Sequence, residues 1–457
     1  MTMKPLTLAD IARVTNGTYV GDKQAENKTI TGVVRDNREV KNGNLFLCIQ
    51  GARVDGHSFA DAAFAAGAAC CLAEKPLEAP AGPYILVDST LSALQSLAAY
   101  YRSLFQIPVI GVIGSVGKTS TKEMTAAVLS QKYNVLKTPE NLNNEIGVPL
   151  TLLSLREEHE AAIVEMGISD FGEMSRLGNM VRPDICLMTN IGYCHLEQLG
   201  NLNGVLKAKS EVFQYMGQDA VAIMNGDDEL LRAYDPGIQK ITYGYSAGTD
   251  FTVSNVENRG LDGISCEVTK GGQSFSLSIP AFGSHMVLAA LAAVATGFTL
   301  GLDVEAIQAG INSYQPVGGR ANVMDTGYIT IINDCYNANP NSVTAALLSL
   351  SQTKGRKVAI LGDMFELGAQ AADMHREIGV FAAQQNIDSV ICCGKLAESI
   401  YKGLIFGQTP GEAWHFPMKE AFFSTLPSLI KKGDIVLVKA SHGMHFEEIV
   451  DELKALS

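Results

Sequence analysis

The sequence of 457 residues lacks an excess of basic residues, short-period repeats and low-complexity tracts. Its 35 lysines and arginines are outnumbered by 48 aspartates and glutamates, so the formal net charge is −13. This negative balance argues against a nucleic-acid-binding surface and against attachment to anionic membranes. We therefore expect neither nucleic acid nor membrane among the partners of the protein.

Long apolar runs and a signal-peptide pattern are also missing from the sequence. The longest apolar stretch, residues 286–302, is interrupted by Gly297 and is too short to span a bilayer. The first residues, MTMKPLTLADIARVTNG, turn polar within a few positions and contain no signal-peptide core. These absences predict a cytoplasmic protein without membrane insertion, and we expect a monomer.

The cysteines do not form a recognisable framework. There are nine, an odd number, and no CxxC pair occurs among them. The adjacent pairs Cys70-Cys71 and Cys392-Cys393 lie within apolar runs. This pattern disfavours disulfides and paired zinc ligands, and it predicts buried, reduced thiols.

What the chain does contain is an alternation of apolar runs and helical patterns. Continuous runs such as AAIVEMG and DICLMTNIG suit strands buried on both faces of a parallel sheet. Residues 250–280 instead alternate apolar and polar side chains, as an antiparallel meander does. After the linker-like PVGGR at 316–320 the α/β alternation restarts. We predict an α/β fold with three domains, at 1–86, 87–314 and 315–457.

A glycine-rich loop, GVIGSVGKTST at 111–121, follows one of these strands and opens a helix. Val112 occupies the first glycine position of the strict Walker pattern, so that pattern fails. In this context, backbone N–H groups and the helix N-terminus can still bind phosphates. The alternative is a chance glycine-rich turn. The predicted phosphate-binding residues are Gly114, Ser115, Val116, Gly117, Lys118, Thr119 and Ser120.

Two polar residues follow predicted parallel strands on the side of the sheet where the loop lies. Glu165 ends AAIVEMG, and His195 follows DICLMTNIG. Together with the hydroxyl of Thr119 and phosphate oxygens, these groups suit Mg²⁺. Taken alone, each is more often an ordinary polar residue at a strand end, whereas together with the loop they favour a metal site.

Two further segments allow two interpretations each. The predicted helix LKAKSEVFQYM carries Lys207 and Lys209, which form either part of a site or a solvated basic face. The segment NDCYNANPNS at 333–342 is either a turn with a helix N-cap or a binding loop.

Seven segments together resemble the Mur ligases, the ATP-dependent amide-forming enzymes of peptidoglycan precursor synthesis. They cover nearly the whole chain and read DNREVKNGNLFLCIQGARVDGHSF, GSVGKTSTKEM, NLNNEIGVPLTLL, HLEQLG, KAKSEVF, NDCYNANPNS and LGDMFELG. The third and the last two are characteristic of the member that adds D-alanyl-D-alanine. The Asp-Asn-Pro-Arg run of the diaminopimelate-adding relative does not occur in the C-terminal part.

The resemblance implies a fold and a reaction. An N-terminal domain would bind the UDP end of the substrate, a central P-loop domain would bind ATP, and a Rossmann-like C-terminal domain would close over the site. The γ-phosphoryl group of ATP would pass to the carboxylate of UDP-N-acetylmuramoyl-tripeptide. The amine of D-alanyl-D-alanine would then attack the acyl phosphate, and ADP and phosphate would leave.

Two alternatives are less consistent with the residues. A folylpolyglutamate-type ligase of the same superfamily would not need the UDP-domain-like N-terminal segment. A nucleotide-sensing module that binds ATP without turnover would not need Glu165, His195 and Lys209 together.

The resemblance also assigns the reaction centre. Thr119 and Glu165 would hold one Mg²⁺ between the β- and γ-phosphates, and His195 would help to hold a second. Lys209 matches the family lysine that is carbamylated, a change that turns a cation into an oxygen ligand. The implied catalytic residues are Lys118, Lys209, His195 and Arg320.

Further implied contacts come from other loops. Arg320 would reach the γ-phosphate, Asp334 the ribose, and His285 lies in the adenine motif. Three loops would contact the other substrates: Arg35, Asp36 and Arg38 at the UDP end; Asn141, Asn143 and Asn144 in NLNNEIG; and Asn337, Asn339 and Asp363 at the dipeptide end.

Two departures from the family pattern stand out. Where the family has His-Asn-x-x-Asn, this chain reads HMVLA, with Met286 and Ala289 in place of the amides that contact adenine. Near the C-terminus, a family Lys-Gly-Ser-Arg is KASH, with His442 in place of the arginine. The first departure predicts weaker selection of adenine, and the second alters one C-terminal contact.

Overall fold

Three β-sheets follow one another along the chain in the computed structural model, which describes residues 3–51 and 54–456. The first sheet belongs to a small N-terminal unit made of α1 (Leu8–Val14), β1 (Thr18–Val20), β2 (Gly32–Val34), β3 (Asn44–Leu47), α2 (Ala60–Ala65), β4 (Cys70–Ala73) and β5 (Tyr84–Leu86). Its strand order is β1-β5-β4-β3-β2, with β1 antiparallel to β5 and the other pairs parallel. The central strands β3 and β4 are fully buried, as continuous apolar runs predict.

The central unit carries a nine-stranded sheet. Its elements are α3 (Thr90–Ser103), β6 (Val109–Ile113), α4 (Lys118–Leu129), β7 (Val135–Lys137), α5 (Gly147–Leu153), β8 (Ala161–Glu165), α6 (Glu173–Val181), β9 (Ile185–Met188), α7 (Leu196–Leu199), α8 (Leu202–Ser210), β10 (Val221–Asn225), α9 (Glu229–Ala233), β11 (Gln239–Gly244), β12 (Phe251–Asn258), β13 (Ile264–Lys270), β14 (Gln273–Ile279), α10 (Met286–Thr299) and α11 (Val304–Asn312). The order is β14-β13-β12-β11-β10-β9-β6-β8-β7.

The direction of pairing changes along this sheet. Strands β6 to β11 pair in parallel, whereas β12, β13 and β14 form an antiparallel meander. The predicted meander is therefore confirmed, and it extends the parallel sheet, because β12 pairs in parallel with β11. The parallel part places the carboxyl ends of β6, β8 and β9 at one edge, and the loops that follow these strands meet there.

The third unit is an open α/β sheet. It contains β15 (Asn322–Asp325), β16 (Thr330–Asn333), α12 (Pro340–Ser351), β17 (Lys357–Gly362), α13 (Ala371–Ala383), β18 (Ser389–Cys393), α14 (Ala397–Phe406), β19 (Glu412–Phe416), α15 (Lys419–Phe423), α16 (Leu426–Leu429), β20 (Ile435–Lys439) and α17 (Glu447–Lys454). The order is β15-β16-β20-β17-β18-β19, and only the edge pair β15–β16 is antiparallel.

One hydrophobic core joins the first two units. Leu8 and Leu45 belong to the same buried cluster as Leu97 and Val109. The predicted three-unit α/β fold is thus confirmed, while the exact domain limits remain predictions. None of the nine cysteines is paired and eight are buried, as expected. Across the described residues, no helix is long and apolar enough to cross a bilayer.

Candidate functional site

A large cleft separates the carboxyl edge of the central sheet from the C-terminal unit. Its volume is about 910 Å³, which lies in the range of ligand pockets. Many predicted site residues line it: Ser115, Val116, Gly117, Lys118, Thr119, Ser120, Asn141, Asn143, Asn144, Glu165, His195, His285, Arg320, Asp334, Asn337 and Asn339. The structure therefore brings residues that are far apart in sequence to one cavity.

The phosphate loop connects β6 to the N-terminus of α4. Gly117 immediately precedes α4 with a φ of +82°, a left-handed conformation that glycine adopts without strain. Gly114 has a φ of +135°, and a Cβ there would lie 2.0 Å from the Thr189 hydroxyl. The sequence needs both glycines because one sets the turn and the other allows close approach of the neighbouring strand end.

That neighbouring strand end holds the loop in shape. The backbone N–H of Ser115 donates to the Asn190 carbonyl at 3.0 Å, and that of Val116 donates to the Asn190 side chain at 3.0 Å. The Thr189 hydroxyl donates to the Val116 carbonyl at 2.6 Å. Sequence reasoning missed Thr189 and Asn190, although their position at the end of an apolar strand was a usable signal.

Lys118 bends back over the loop. Its Nζ donates to the carbonyls of Gly114 and Ser115 at 3.0 and 3.3 Å. Desolvation in the cleft lowers the pKa of Lys118, and the charge of Glu165 opposes that shift. The ammonium group therefore lies beside the phosphate loop, in a site where an anionic ligand would favour its charged form.

Glu165 is buried at the end of β8, with 1% of its surface exposed. Its Oε1 accepts hydrogen bonds from Thr119 Oγ1 at 3.2 Å and from Asn143 Nδ2 at 2.8 Å. Its Oε2 has no hydrogen-bond partner among the described residues. A buried carboxylate oxygen without a donor is unusual in a folded protein, and it suits a bound cation.

Lys122 is a buried cationic neighbour of Glu165 that sequence reasoning missed. It is fully buried, and its Nζ lies 3.7 Å from Glu165 Oε2. The same Nζ donates to the carbonyls of Thr138 and Glu140 at 2.8 and 3.2 Å and pairs with Glu123 at 3.1 Å. Lys122 thereby connects the phosphate-loop helix to the segment that leads into the asparagine-rich loop.

His195 lies just before α7, where its Nδ1 is 2.8 Å from Glu366 Oε2. Burial lowers the pKa of His195, the charge of Glu366 raises it, and the nearby charges of Lys209 and Lys118 lower it further. A neutral imidazole is the form that binds metal ions. Glu366 belongs to the segment LGDMFELG of the C-terminal unit, so this contact crosses the cleft.

Lys209 and Lys207, both on α8, differ sharply in environment. Lys209 is buried, with 1% of its surface exposed. Burial lowers the pKa of Lys209 to about 8. Lys207 is exposed and lies over the Phe171 ring at 5.8 Å. The solvated-face interpretation therefore fits Lys207 and does not fit Lys209.

The C-terminal unit supplies a second group of polar residues. Asp334 accepts from the Ala321 backbone N–H at 3.1 Å and from Lys439 Nζ at 2.7 Å. The Arg320 guanidinium lies 4.1 Å from the centre of the Tyr336 ring. His442, at the position of the family arginine, stacks on the same ring with 5.2 Å between centroids.

Asparagine side chains in two of the predicted binding loops make structural hydrogen bonds beside the cleft. Asn143 orients Glu165, and Asn144 Oδ1 accepts from the backbone N–H of Gly147 at 2.9 Å, at the start of α5. Asn339 caps α12 through the Ser342 backbone N–H at 2.9 Å. The N-cap interpretation of NDCYNANPNS is thus correct for Asn339, while Asn337 and Asn341 also line the cavity.

Six predicted residues are not among those that line the cleft: Gly114, Lys209, Asp363, Arg35, Asp36 and Arg38. Asp363 is buried, and its carboxylate accepts from the Ala397 backbone N–H at 2.7 Å, where α14 begins. It stabilises a helix start, and its contact with the dipeptide stays a prediction. Arg35, Asp36 and Arg38 lie outside the cavity, and Asp36 pairs with the exposed Arg38 at 2.6 Å.

The two substituted adenine-motif positions are buried in α10. Met286 and Ala289 belong to the core of the central unit and are 3% and 7% exposed. The residues of this segment that line the cavity are His285 and Leu288.

The fold and the cleft define a nucleotide-dependent α/β enzyme with a phosphate loop facing a second α/β unit. Three protein-family models match the chain: Mur ligase family, catalytic domain, at residues 29–102; Mur ligase middle domain, at 112–297; and Mur ligase, glutamate ligase domain, at 319–442. The chain belongs to the Mur ligase family.

Individual relatives narrow the comparison. The UDP-N-acetylmuramoyl-tripeptide–D-alanyl-D-alanine ligase of Bacillus subtilis is 38% identical, over 98% of both chains. A crystal structure of MurF from Acinetobacter baumannii is 30% identical, with a TM-score of 0.92 over 99% of this chain and 100% of that one. The MurF ligase of Thermotoga maritima in complex with ADP is 29% identical, with a TM-score of 0.83 over 93% and 97%.

Proposed function

We propose that the chain is an ATP-dependent ligase that joins D-alanyl-D-alanine to UDP-N-acetylmuramoyl-tripeptide, which yields the pentapeptide precursor of peptidoglycan. The observation that carries the proposal is the convergence of the phosphate loop, Glu165 and His195 on one cleft, with Lys209 buried and near enough for its charge to lower the pKa of His195. The full-length similarity to ligases of that name supports the same substrates.

The reaction has two steps. A carboxylate oxygen of the tripeptide attacks the γ-phosphorus of ATP, the bond to the β-phosphate oxygen breaks, and ADP leaves. The amine of D-alanyl-D-alanine then attacks the acyl carbon, the carbon–oxygen bond to phosphate breaks, and the amine loses a proton. Both reactants of the first step are anionic, so cationic groups must bring them together.

Mg²⁺ fits the residues present. Thr119 and Glu165 would hold one ion, because the Oε2 of Glu165 is buried and lacks a donor among the described residues. His195 and a carbamylated Lys209 would hold a second ion. When bound, the ions neutralise charge on the transferring phosphoryl group. The burial and lowered pKa of Lys209 support carbamylation, which requires a neutral amine.

Different side chains would contact different parts of the substrates. Lys118 and Arg320 would contact phosphate oxygens, His285 would lie near the base, and Asp334 near the ribose. Asn141, Asn143, Asn144, Asn337 and Asn339 would line the path of the peptide substrates. Arg35, Asp36 and Arg38 would contact the UDP end, on a unit whose strand β2 packs against α5 beside the asparagine-rich loop.

The test of the function is phosphate release that depends on both substrates. We expect rapid release only when ATP, UDP-N-acetylmuramoyl-tripeptide and D-alanyl-D-alanine are all present. Release that requires folate and glutamate would support the folylpolyglutamate-type alternative. Tight ATP binding without any release would support a nucleotide-sensing module.

Domain closure leads to a separate prediction. An acyl phosphate is labile in water, and closure around bound ligands is the usual way to exclude water. We expect small-angle scattering to show a smaller radius of gyration when an ATP analogue and the UDP-tripeptide are both bound. Each ligand alone is the control. An unchanged radius with both ligands would contradict the prediction.

The adenine motif leads to a prediction about nucleotide selectivity. Amide side chains can donate to and accept from a purine edge, whereas Met286 and Ala289 cannot. We expect weaker discrimination between ATP and GTP than in relatives with both asparagines, by about 1 kcal/mol per lost hydrogen bond. The ratio of kcat/KM for the two nucleotides measures this. Rejection of GTP as strong as in those relatives would show that other groups select the base.

The biological setting follows from the proposed product. We place the enzyme in the cytoplasm as a monomer that supplies cell-wall synthesis, and through it cell shape and division.

A further inference from the structure

The contact between His195 and Glu366 joins the central and C-terminal units directly at the reaction centre. The Nδ1 of His195 lies 2.8 Å from Oε2 of Glu366, and 62% of the Glu366 side chain remains exposed. Glu366 lies in the connection between β17 and α13. An exposed carboxylate on one unit thus meets a half-buried imidazole on the other.

Both residues adopt a backbone conformation that non-glycine residues rarely use. The φ of His195 is +50° and that of Glu366 is +62°. Left-handed conformations are strained in non-glycine residues, and such strain concentrates at functional sites. Here the strained conformations occur on the two partners of one interdomain contact.

The contact also distinguishes the two ring nitrogens. A carboxylate can only accept, so a neutral His195 must donate its Nδ1–H to Glu366. The Nε2 then carries the lone pair, which is the group that can bind a metal ion. Histidines that bind metal ions commonly donate their other N–H to a carboxylate, which fixes the tautomer and the ring orientation.

We propose that Glu366 is a positioning residue, which fixes the tautomer and ring orientation of His195 for its role at the reaction centre when the C-terminal unit lies against the central unit. The proposal rests on the proposed function, since it concerns the role of His195 in phosphoryl transfer. Because the carboxylate comes from the C-terminal unit, the contact couples the tautomer of His195 to the position of that unit.

The activity test compares Glu366→Ala and Glu366→Gln with Glu447→Gln. Glu447 is a matched control, because its carboxylate lies 3.1 Å from His445 Nδ1 in an exposed pair on the same unit. We expect Glu366→Ala to lower kcat by 10- to 100-fold with little change in KM for ATP. Glu366→Gln, which can still accept from Nδ1–H, should lose less, and Glu447→Gln should be near normal.

A second measurement needs no substrate and no activity. Nitrogen-15 spectra of histidine-labelled protein report which ring nitrogen is protonated, and His195→Gln identifies the His195 signals. We expect a protonated Nδ1 in the wild type and in Glu447→Gln, and a shift toward protonated Nε2 in Glu366→Ala. An unchanged tautomer in Glu366→Ala would overturn the proposal, even if the ligase activity were established.

An increase of kcat in Glu366→Ala would also overturn the proposal. If the pair held His195 away from its ligands, Glu366→Ala would raise kcat, and the contact would be inhibitory. A wild type without ligase activity would count against the proposed function, while the tautomer measurement would still test the role of Glu366.

Discussion

Replacing Lys209 by alanine is expected to lower kcat by roughly 10²- to 10⁴-fold, which corresponds to about 3–5 kcal/mol of transition-state stabilisation. The physical reason is the environment of the side chain. Lys209 is 1% exposed on α8. An ammonium group there would repel a metal ion, whereas a carbamate carries negative charge and oxygen ligands.

The lowered pKa makes that modification accessible. The amine must lose a proton before it attacks CO₂, and the product is a carbamate plus a proton. Burial lowers the pKa of Lys209 to about 8, so near neutral pH a far larger fraction is uncharged than in an exposed lysine. If the carbamate supplies oxygen ligands, acetate or another short carboxylate should fill the vacated position in Lys209→Ala and partly restore kcat.

Lys207→Ala is the matched control for this prediction. Lys207 is two positions away on α8 and points in a different direction, because residues two apart do not share a helix face. It is exposed and lies over Phe171, so its loss should change kcat by less than about threefold. Equal effects of the two alanine variants would contradict the carbamate assignment.

The sequence predicts those parts of the site that depend on local patterns. The phosphate loop is contiguous, and its strand and helix are strongly patterned, so Gly117 and Lys118 could be placed without a structure. Glu165 could be placed at the correct edge because it ends an apolar strand. The edge strand β15 was missed, since its half-exposed residues form no apolar run.

The parts that the sequence did not predict depend on contacts between distant segments. Asp363 and Glu366 are three residues apart in LGDMFELG, yet one stabilises the start of α14 and the other reaches His195. No periodicity separates these roles, because the direction of a loop side chain depends on the backbone path. The burial of Lys122 could not be predicted for the same reason. In the sequence KTSTKEM it resembles a residue on a helix surface, and only the structure shows the Thr138 and Glu140 carbonyls that it contacts.

Glu165→Gln is expected to reduce kcat/KM for ATP by roughly 10³-fold, or about 4 kcal/mol, because the neutral amide binds Mg²⁺ poorly. Activity of the variant should continue to rise at Mg²⁺ concentrations that saturate the wild type. Glu173→Gln is the control, because Glu173 lines the same cavity but accepts from the Ser169 backbone N–H at 2.7 Å. It should lose less than about tenfold, since it is not an expected ligand.

Glu165→Gln should leave the melting temperature unchanged or higher. This result would distinguish a role of Glu165 in metal binding from a role in stabilising the fold. A glutamine can keep the acceptor that Thr119 and Asn143 use, and it removes a buried charged oxygen that has no donor among the described residues. Lys122 loses its 3.7 Å ion pair with Glu165 Oε2 but keeps the Thr138 and Glu140 carbonyls and the Glu123 carboxylate as closer partners. A carboxylate retained only for structure would show the reverse pattern, in which the melting temperature falls while kcat/KM and its Mg²⁺ dependence stay normal.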